Sequence, residues 1–281
     1  VRGLPGRAVT RDGRGLYYVR GPGPAGGGAP TVVFEAGLGS TRSGWALVER
    51  AVARRAPTVV YDRANLGRSD RDSQPRHLGR LADDLVDLLV HLGAERYVLV
   101  GTSWGGPVIR IAAAAVPGLV HGLVLVDPSD EGYDGHFSPT VRRAERVSLA
   151  VMRLLARAGL LRTAMKPLVR ALPPDARADV LAEESTPAAV EGRAAELGSV
   201  AEDLGALRDD PPELGDIPVT IISGARNGGM GARVRRGLNA AHARRAGLSP
   251  YGRHVLARRS GHLVVLTEPN LVTEEIERLL P

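Results

Sequence analysis

The sequence predicts an α/β fold built on a mostly parallel, doubly wound β-sheet. Three observations predict it. Short apolar runs such as Thr31–Ala36, Tyr97–Val100 and Val219–Ile222 read as strands buried on both faces. Segments of helical spacing alternate with them, clearest in Leu78, Leu81, Leu85, Leu88 and Leu92. A Gly-x-Ser-x-Gly sequence, Gly101-Thr102-Ser103-Trp104-Gly105, stands between one such strand and a small-residue helical segment.

Each element follows from local chemistry. Arg7–Thr10 and Leu16–Arg20 flank Asp12-Gly13-Arg14-Gly15, the signature of a hairpin. Residues 21–30 form a glycine/proline loop, and Thr31–Ala36 is the first buried strand. Trp45–Arg54 reads as a helix, Thr58–Tyr61 as the next strand, and the leucine stripe from Leu78 as the next helix. The strand entering Ser103 is followed by a helix over Gly106–Ala115 and a strand over Leu123–Asp127. From Glu131 to Gly215 no strand pattern occurs. Ala, Arg and Leu dominate there, interrupted by Pro139, Pro167, Pro173-Pro174, Pro187 and Pro211-Pro212, which predicts four or five short helices forming a lid. Alternation resumes with a strand at Val219–Ile222, a helix at Met230–Ala246, a strand at Tyr251–Ala257 and a closing helix at Glu268–Leu280. The expectation is one core over 1–130 and 216–281, interrupted by a helical cap over 131–215.

Composition narrows the function. A chain of 281 residues, 43% hydrophobic and 24% charged, suits a globular domain with a sizeable core. Without cysteine it has no disulfide, thiolate metal site or cysteine nucleophile. No apolar run is long enough to span a bilayer, and Val1-Arg2-Gly3-Leu4-Pro5-Gly6 contains no signal-peptide core, so a cytoplasmic protein is expected, a trimmed start being the alternative. The net charge of +6 comes almost wholly from arginine, Lys166 being the one lysine. The arginines are spread along the chain, aromatic residues make up 4%, and no nucleic-acid motif occurs. The basic excess therefore reads as a solvated surface, with a small-molecule substrate, no nucleic acid, no membrane partner and no metal or cofactor expected. Oligomeric state is not legible.

Serine attacks only when a base takes its proton, so Ser103 requires a histidine. Of seven histidines, 77, 91, 121, 136, 242 and 254 are explained as surface or helix residues. His262, in Ser260-Gly261-His262-Leu263 after the final strand, lies in a loop at the sheet edge where Ser103 emerges. The histidine needs an acid in turn. From Ile217 to Thr267 there is no Asp or Glu, and Asn227 stands where a carboxylate is expected. Asp127, directly after an apolar run, is the preferred acid, with Asp130 and Glu131 as reserves. A loop-capping role is the lesser alternative for Asp127, and the Asn227 amide could hold the imidazole without offsetting its charge. Developing negative charge needs donors. The Trp104 N–H and the Leu38 N–H, the latter in Glu35-Ala36-Gly37-Leu38-Gly39-Ser40, are the candidates. Trp45 and Trp104 could line a pocket or simply pack. Glu35 could contact substrate, and as a carboxylate beside that loop it should be arginine-paired or shifted in pKa. Asp62 and Ser69 in Asp62–Ser69 read as backbone-binding scaffold residues.

These segments in this order resemble the α/β-hydrolase fold superfamily. The resemblance rests on Phe34–Ser40, the Asp-Arg-x-x-x-Gly-x-Ser loop at Tyr61–Ser69, Gly101–Gly105 and Ser260–His262, and it extends over essentially the whole chain. It implies an α/β-hydrolase sheet with an inserted helical cap and the chain order Ser103, Asp127, His262. Two departures stand out. Ala36-Gly37 replaces the frequent His-Gly, and the acid usual after the strand ending at Ile222 is missing, a role some members place one strand earlier. A serine nucleophile argues against epoxide-hydrolase and dehalogenase chemistry. The implied activity is hydrolysis of a carboxylic ester or lactone through an acyl-enzyme. Thioester hydrolysis, acyl transfer or cyclisation by the same residues, and a non-catalytic ligand-binding role, are the alternatives.

Overall fold

The computed structural model describes residues 3–24 and 28–281; residues 1–2 of the chain start and 25–27 of the expected glycine/proline loop lie outside them. Eight strands form one sheet: β1 (Leu4–Val9), β2 (Gly15–Gly21), β3 (Thr31–Glu35), β4 (Thr58–Tyr61), β5 (Tyr97–Thr102), β6 (Val120–Val126), β7 (Val219–Gly224) and β8 (Gly252–Ala257). Their spatial order is β1-β2-β4-β3-β5-β6-β7-β8. From β4 to β8 all neighbours are parallel, while β2 is antiparallel to both β1 and β4. The helices are α1 (Ala46–Val52), α2 (Leu78–Leu92), α3 (Gly105–Ala115), α4 (Pro139–Arg157), α5 (Leu161–Met165), α6 (Pro174–Glu183), α7 (Pro187–Asp209), α8 (Ala232–Ala246), α9 (Val264–Thr267) and α10 (Pro269–Glu277).

Side-chain alternation along the strands produces two cores. Tyr97 and Leu99 of β5 pack with Leu81, Leu85 and Leu88 of α2 and with Val108 and Ile109 of α3. Val98 and Val100 face the other way, onto Val48 and Val52 of α1 and Val272 and Ile276 of α10. The continuous apolar runs thus mark a sheet covered on both sides.

The order of strands decides where a site can form. After β3 the chain moves outward to β4, then crosses back to β5 on the other side of β3. The loops leaving β3 and β5 diverge at this reversal and open a crevice at the carboxyl edge of the sheet. Residues 36–40 and Ser103 occupy those two loops.

Between β6 and β7 the described chain is helical, as expected, but two of its helices are not short. The 19 residues of α4 and the 23 of α7 account for most of its helical residues. The prolines begin helices more often than they end them: Pro139, Pro174 and Pro187 sit in first turns, where the missing N–H costs nothing. The closing helix begins at Pro269, and the expectation missed the separate turn α9. Among the described residues no helix is long and apolar enough to cross a membrane.

Candidate active site

Ser103 follows β5 in a left-handed backbone conformation, φ 53°. A non-glycine residue tolerates this only where its surroundings hold it. Here the Ser103 N–H donates to Val126 O (3.1 Å), and its carbonyl accepts from Gly106 N (3.0 Å) and Ser129 N (2.9 Å). The flanking glycines are required by close approach. A Cβ at Gly101 would lie 2.5 Å from Gly105 O, and one at Gly105 would lie 2.6 Å from Glu35 O. The helix α3 starts at Gly105, so its positive end faces the same point.

His262 comes from the loop after β8. Its Nε2 lies 3.1 Å from Ser103 Oγ and its Nδ1 lies 2.7 Å from Asp127 Oδ2. The three residues singled out from the sequence are thus brought into one hydrogen-bonded chain. Asp127 ends β6, also with positive φ (43°). Its other oxygen accepts from Gly224 N (2.9 Å) and Arg235 Nη1 (2.5 Å). Burial pushes this carboxyl up, but the hydrogen bonds and charges of His262 and Arg235 outweigh burial and hold it below the usual range. With Nδ1–H donated to a carboxylate, Nε2 faces the serine as an acceptor.

The reserve residues are engaged elsewhere. Asp130 pairs with Arg245, and Glu131 pairs with Arg110 (2.8 and 2.9 Å) and Arg245 (2.7 Å). Asn227 is exposed, and its side chain makes no hydrogen bond to His262. His242, read from the sequence as a surface or helix residue, lies on α8 with its side chain buried beneath the loop after β6. Its Nε2 donates to Pro128 O (2.9 Å), and its Nδ1 accepts from Ser223 Oγ (2.7 Å). Burial lowers its pKa and keeps it neutral.

The loop after β3 is held by Arg63. This buried guanidinium donates Nη1 to Ala36 O (2.7 Å), Nη2 to Gly37 O (2.7 Å), and Nε and Nη2 to Glu196 of α7 (2.7 and 2.8 Å). It also bonds Glu35, which the Tyr61 hydroxyl reaches as well. Glu35 is therefore consumed in the core and does not reach the crevice, so it is not a substrate contact; it is both arginine-paired and pushed up by burial. Because a trans peptide points its C=O and N–H in opposite directions, Gly37 O on Arg63 turns the Leu38 N–H away from that clamp. The Leu38 and Trp104 N–H groups have no acceptor among the described residues. Asp62 and Ser69 bind backbone as expected: Asp62 accepts from Arg42 N (2.9 Å) and Arg68 N (3.1 Å), and Ser69 Oγ donates to Asp62 O (2.5 Å).

Two cavities meet at Ser103. One, about 400 Å³, is walled mainly by apolar side chains, among them Trp45, Met152, Met165, Val180 and Leu266, with His262 at its base. The other, about 410 Å³, contains Trp104, Ser129, His136 and Glu145. Both tryptophans therefore line space beside the serine. Leu38, Met152 and Arg193 border both cavities, and Arg193 donates to Leu38 O (2.8 Å). Among the described residues no group of three His, Cys, Asp or Glu could hold a metal ion.

Sequence reasoning missed Arg235, Arg193, Glu196 and Glu184. For Arg235 a signal existed: it shares the buried stripe of α8 with Leu238 and His242, at three- and four-residue spacing, where an apolar side chain belongs.

Comparison with known proteins agrees with this architecture. The model of the alpha/beta hydrolase family matches residues 32–275. A protein named "Putative carbamate hydrolase RutD" from Caulobacter vibrioides is 35% identical over 114 residues, 40% of this chain and 42% of that relative. The chain thus spans less than half the length of the curated relatives it matches. Among solved structures, a thermophilic esterase from Thermogutta terrifontis superposes with TM-score 0.71 at 20% identity, over 98% of this chain and 97% of the other. The enol-lactonase from Burkholderia xenovorans LB400 does so with TM-score 0.66 at 21% identity, over 98% and 99%. An epoxide hydrolase, CorEH, gives TM-score 0.71 at 17% identity, over 98% of each chain. At such identities the structures establish the fold alone; the family match establishes that the chain belongs to the alpha/beta hydrolase family.

Two outcomes follow from the electrostatics. Replacing Arg63 by Ala leaves Glu35 and Glu196 buried without their partner, and should cost about 3–5 kcal/mol in denaturant unfolding. Glu184, on the cavity wall, is pushed by burial up to about 7, although Thr41 donates to it from N–H (2.7 Å) and hydroxyl (2.8 Å). Between its ordinary 4.5 and about 7 the folded chain keeps a proton that the unfolded chain releases. Its contribution to stability is thus complete below the lower value and lost as pH rises through the higher one. Glu184→Gln should remove this decline, so that its Tm gains on the wild type across that interval; a constant difference would assign the pH dependence to other groups.

Proposed function

We propose that this alpha/beta hydrolase is a serine hydrolase that cleaves a carboxylic ester or lactone of a small, largely apolar molecule through an acyl-enzyme. The observation that carries the reading is the continuous relay from Ser103 Oγ to His262 to the buried carboxylate of Asp127. As Ser103 Oγ attacks the carbonyl carbon, His262 Nε2 takes its proton, and the carbonyl oxygen becomes an oxyanion between the Leu38 and Trp104 N–H groups. Collapse expels the alcohol oxygen, which receives that proton from His262 and leaves the acyl group on Ser103. Water then gives a proton to the same nitrogen and attacks the acyl carbon; the acyl–Oγ bond breaks, Ser103 Oγ takes that proton from His262, and the carboxylic acid leaves. Asp127 keeps Nδ1 protonated throughout and stabilises the imidazolium.

The surroundings support the substrate class. An ester extends in two directions from its carbonyl, and two cavities extend from Ser103. Aliphatic side chains dominate the first, and a volume near 400 Å³ is in the range of small-molecule sites. Residues 131–215 act as the cap: Met152, Met165, Val180 and Arg193 come from it, so it shapes both cavities and limits water. The thermophilic esterase and the enol-lactonase are fold relatives whose names state such chemistries.

Fluorophosphonate labelling and hydrolysis of short p-nitrophenyl esters test the reading. Ser103→Ala should abolish labelling and lower kcat by about 10⁴-fold or more, and Asp127→Asn should lower kcat by about 10⁴-fold with KM little changed. A folded wild-type protein that neither labels nor hydrolyses esters, lactones or thioesters would instead be a ligand-binding member of the fold.

A further inference from the structure

The chain between β6 and β7 is divided by charge. Residues 138–172 carry eight basic side chains and one acidic one, Glu145, a net +7 in a chain whose total is +6. The rest of the chain sums to −1. Arg142 and Arg153 pair with Glu145 and Glu191. The other six, Arg143, Arg146, Arg157, Arg162, Lys166 and Arg170, are exposed and have no ion pair among the described residues.

The same stretch carries an apolar face. Val147, Val151 and Leu154 follow i, i+4, i+7 spacing on α4 and are 57%, 50% and 69% exposed. Leu160 (56%) and Leu168 (60%) follow around α5. The inner side of α4 is occupied separately, Leu149, Met152 and Leu155 packing on Ala156, Leu161 and Val190. The exposed stripe is therefore an unpartnered second face. It also adjoins the cavity: Met165 and Leu168 line the space beside Ser103, Leu168 while mostly exposed.

We propose that the α4–α5 face docks on an anionic lipid surface, with the aliphatic side chains in the outer acyl region and the flanking cations on the head groups. Charge decides between occupants. A second copy would set two surfaces of +7 against each other. Nucleic acid would meet a stretch with no aromatic, Asn or Gln side chain for bases, and five aliphatic ones that phosphates do not reward. Aliphatic side chains interleaved with arginine match the interface of an anionic bilayer. The sequence-based expectation of no membrane partner rested on the lack of a bilayer-spanning run and on arginines read as spread along the chain; the concentration of cations in 138–172 departs from that. Docking stands apart from the serine chemistry; only its consequence, that ester enters past Leu168 from the lipid phase, rests on that reading.

Flotation of the full chain with vesicles of equal parts phosphatidylcholine and phosphatidylglycerol tests this. The protein should float with these vesicles at low salt, detach at high salt and ignore pure phosphatidylcholine. Arg143→Gln/Arg146→Gln/Arg157→Gln and, separately, Val147→Ser/Val151→Ser/Leu154→Ser should each weaken binding about tenfold or more. Both variants should keep the wild-type Tm and turnover of a soluble ester. Leu154→Trp, which removes no packing, should shift its emission to the blue on the anionic vesicles. Failure to float, flotation undiminished in the apolar variant, an unshifted Leu154→Trp emission, or a dimer that the apolar variant dissociates would each overturn the proposal.

Discussion

The crevice depends on a buried cation. Arg63 sits where β4 ends, and its nitrogens reach two parts of the chain that are far apart in sequence: Glu35 with the loop that follows it, and Glu196 of α7. Burying a guanidinium is costly unless every donor has an acceptor, and a carboxylate isolated beside it would be costlier still. The cluster is thus stable only when complete, and completeness requires the β3 loop to present the carbonyls of Ala36 and Gly37 inward. Peptide planarity then dictates which N–H groups remain for the crevice. An apolar side chain at 63 could fill the volume but could not orient those peptides.

The placement of the acid follows a second constraint, shared between β6 and β7. The Asp127 N–H donates to Ile222 O (2.6 Å) and its side chain accepts from Gly224 N, so the end of β7 grips the residue from both sides. The strand that lacks a carboxylate of its own supplies the donors that aim its neighbour's. Arg235 and Gly224 occupy one carboxylate oxygen, leaving the other for His262. Left-handed backbone at both Ser103 and Asp127 has the same origin: each ends a strand in a tight turn, held by hydrogen bonds from the adjacent strand.

Much of this was legible from residue order. Strand runs, the leucine stripe of α2, the glycines around Ser103, the loop at His262 and the carboxylate-free stretch after Ile217 all report local requirements. Ser103, His262 and Asp127 meet as those signals suggested. What escaped reading was burial of polar side chains. The buried positions of α7 include Glu196, Ser199 and Asp203, which face Arg63, the Arg76 carbonyl and His77 rather than an oily core. A helix that buries charge shows no apolar periodicity, so a helix of 23 residues read as fragments. Glu35 was misplaced for the same reason, because the arginine that consumes it lies 28 residues away.

That polar burial also bears on why the outer face of residues 138–172 is basic. Residues 173–210 contain ten acidic and three basic side chains, a net −7 that mirrors the +7 of 138–172. Among these acids, Glu183 pairs with Arg42 and Arg68, Asp175 with Arg50, and Glu196 with Arg63, all arginines outside the segment. These contacts fasten α6 and α7 over the crevice. Arg143, Arg146, Arg157, Arg162, Lys166 and Arg170 have no such counterpart among the described residues, and the inner side of α4 is aliphatic and adjoins the cavity wall. Attachment of α6 and α7 to the sheet and the outward positive charge of 138–172 are therefore two results of one segregation: acidic side chains pair with arginines of the sheet side, and six cations remain unpaired beside the cavity lined by Met165 and Leu168.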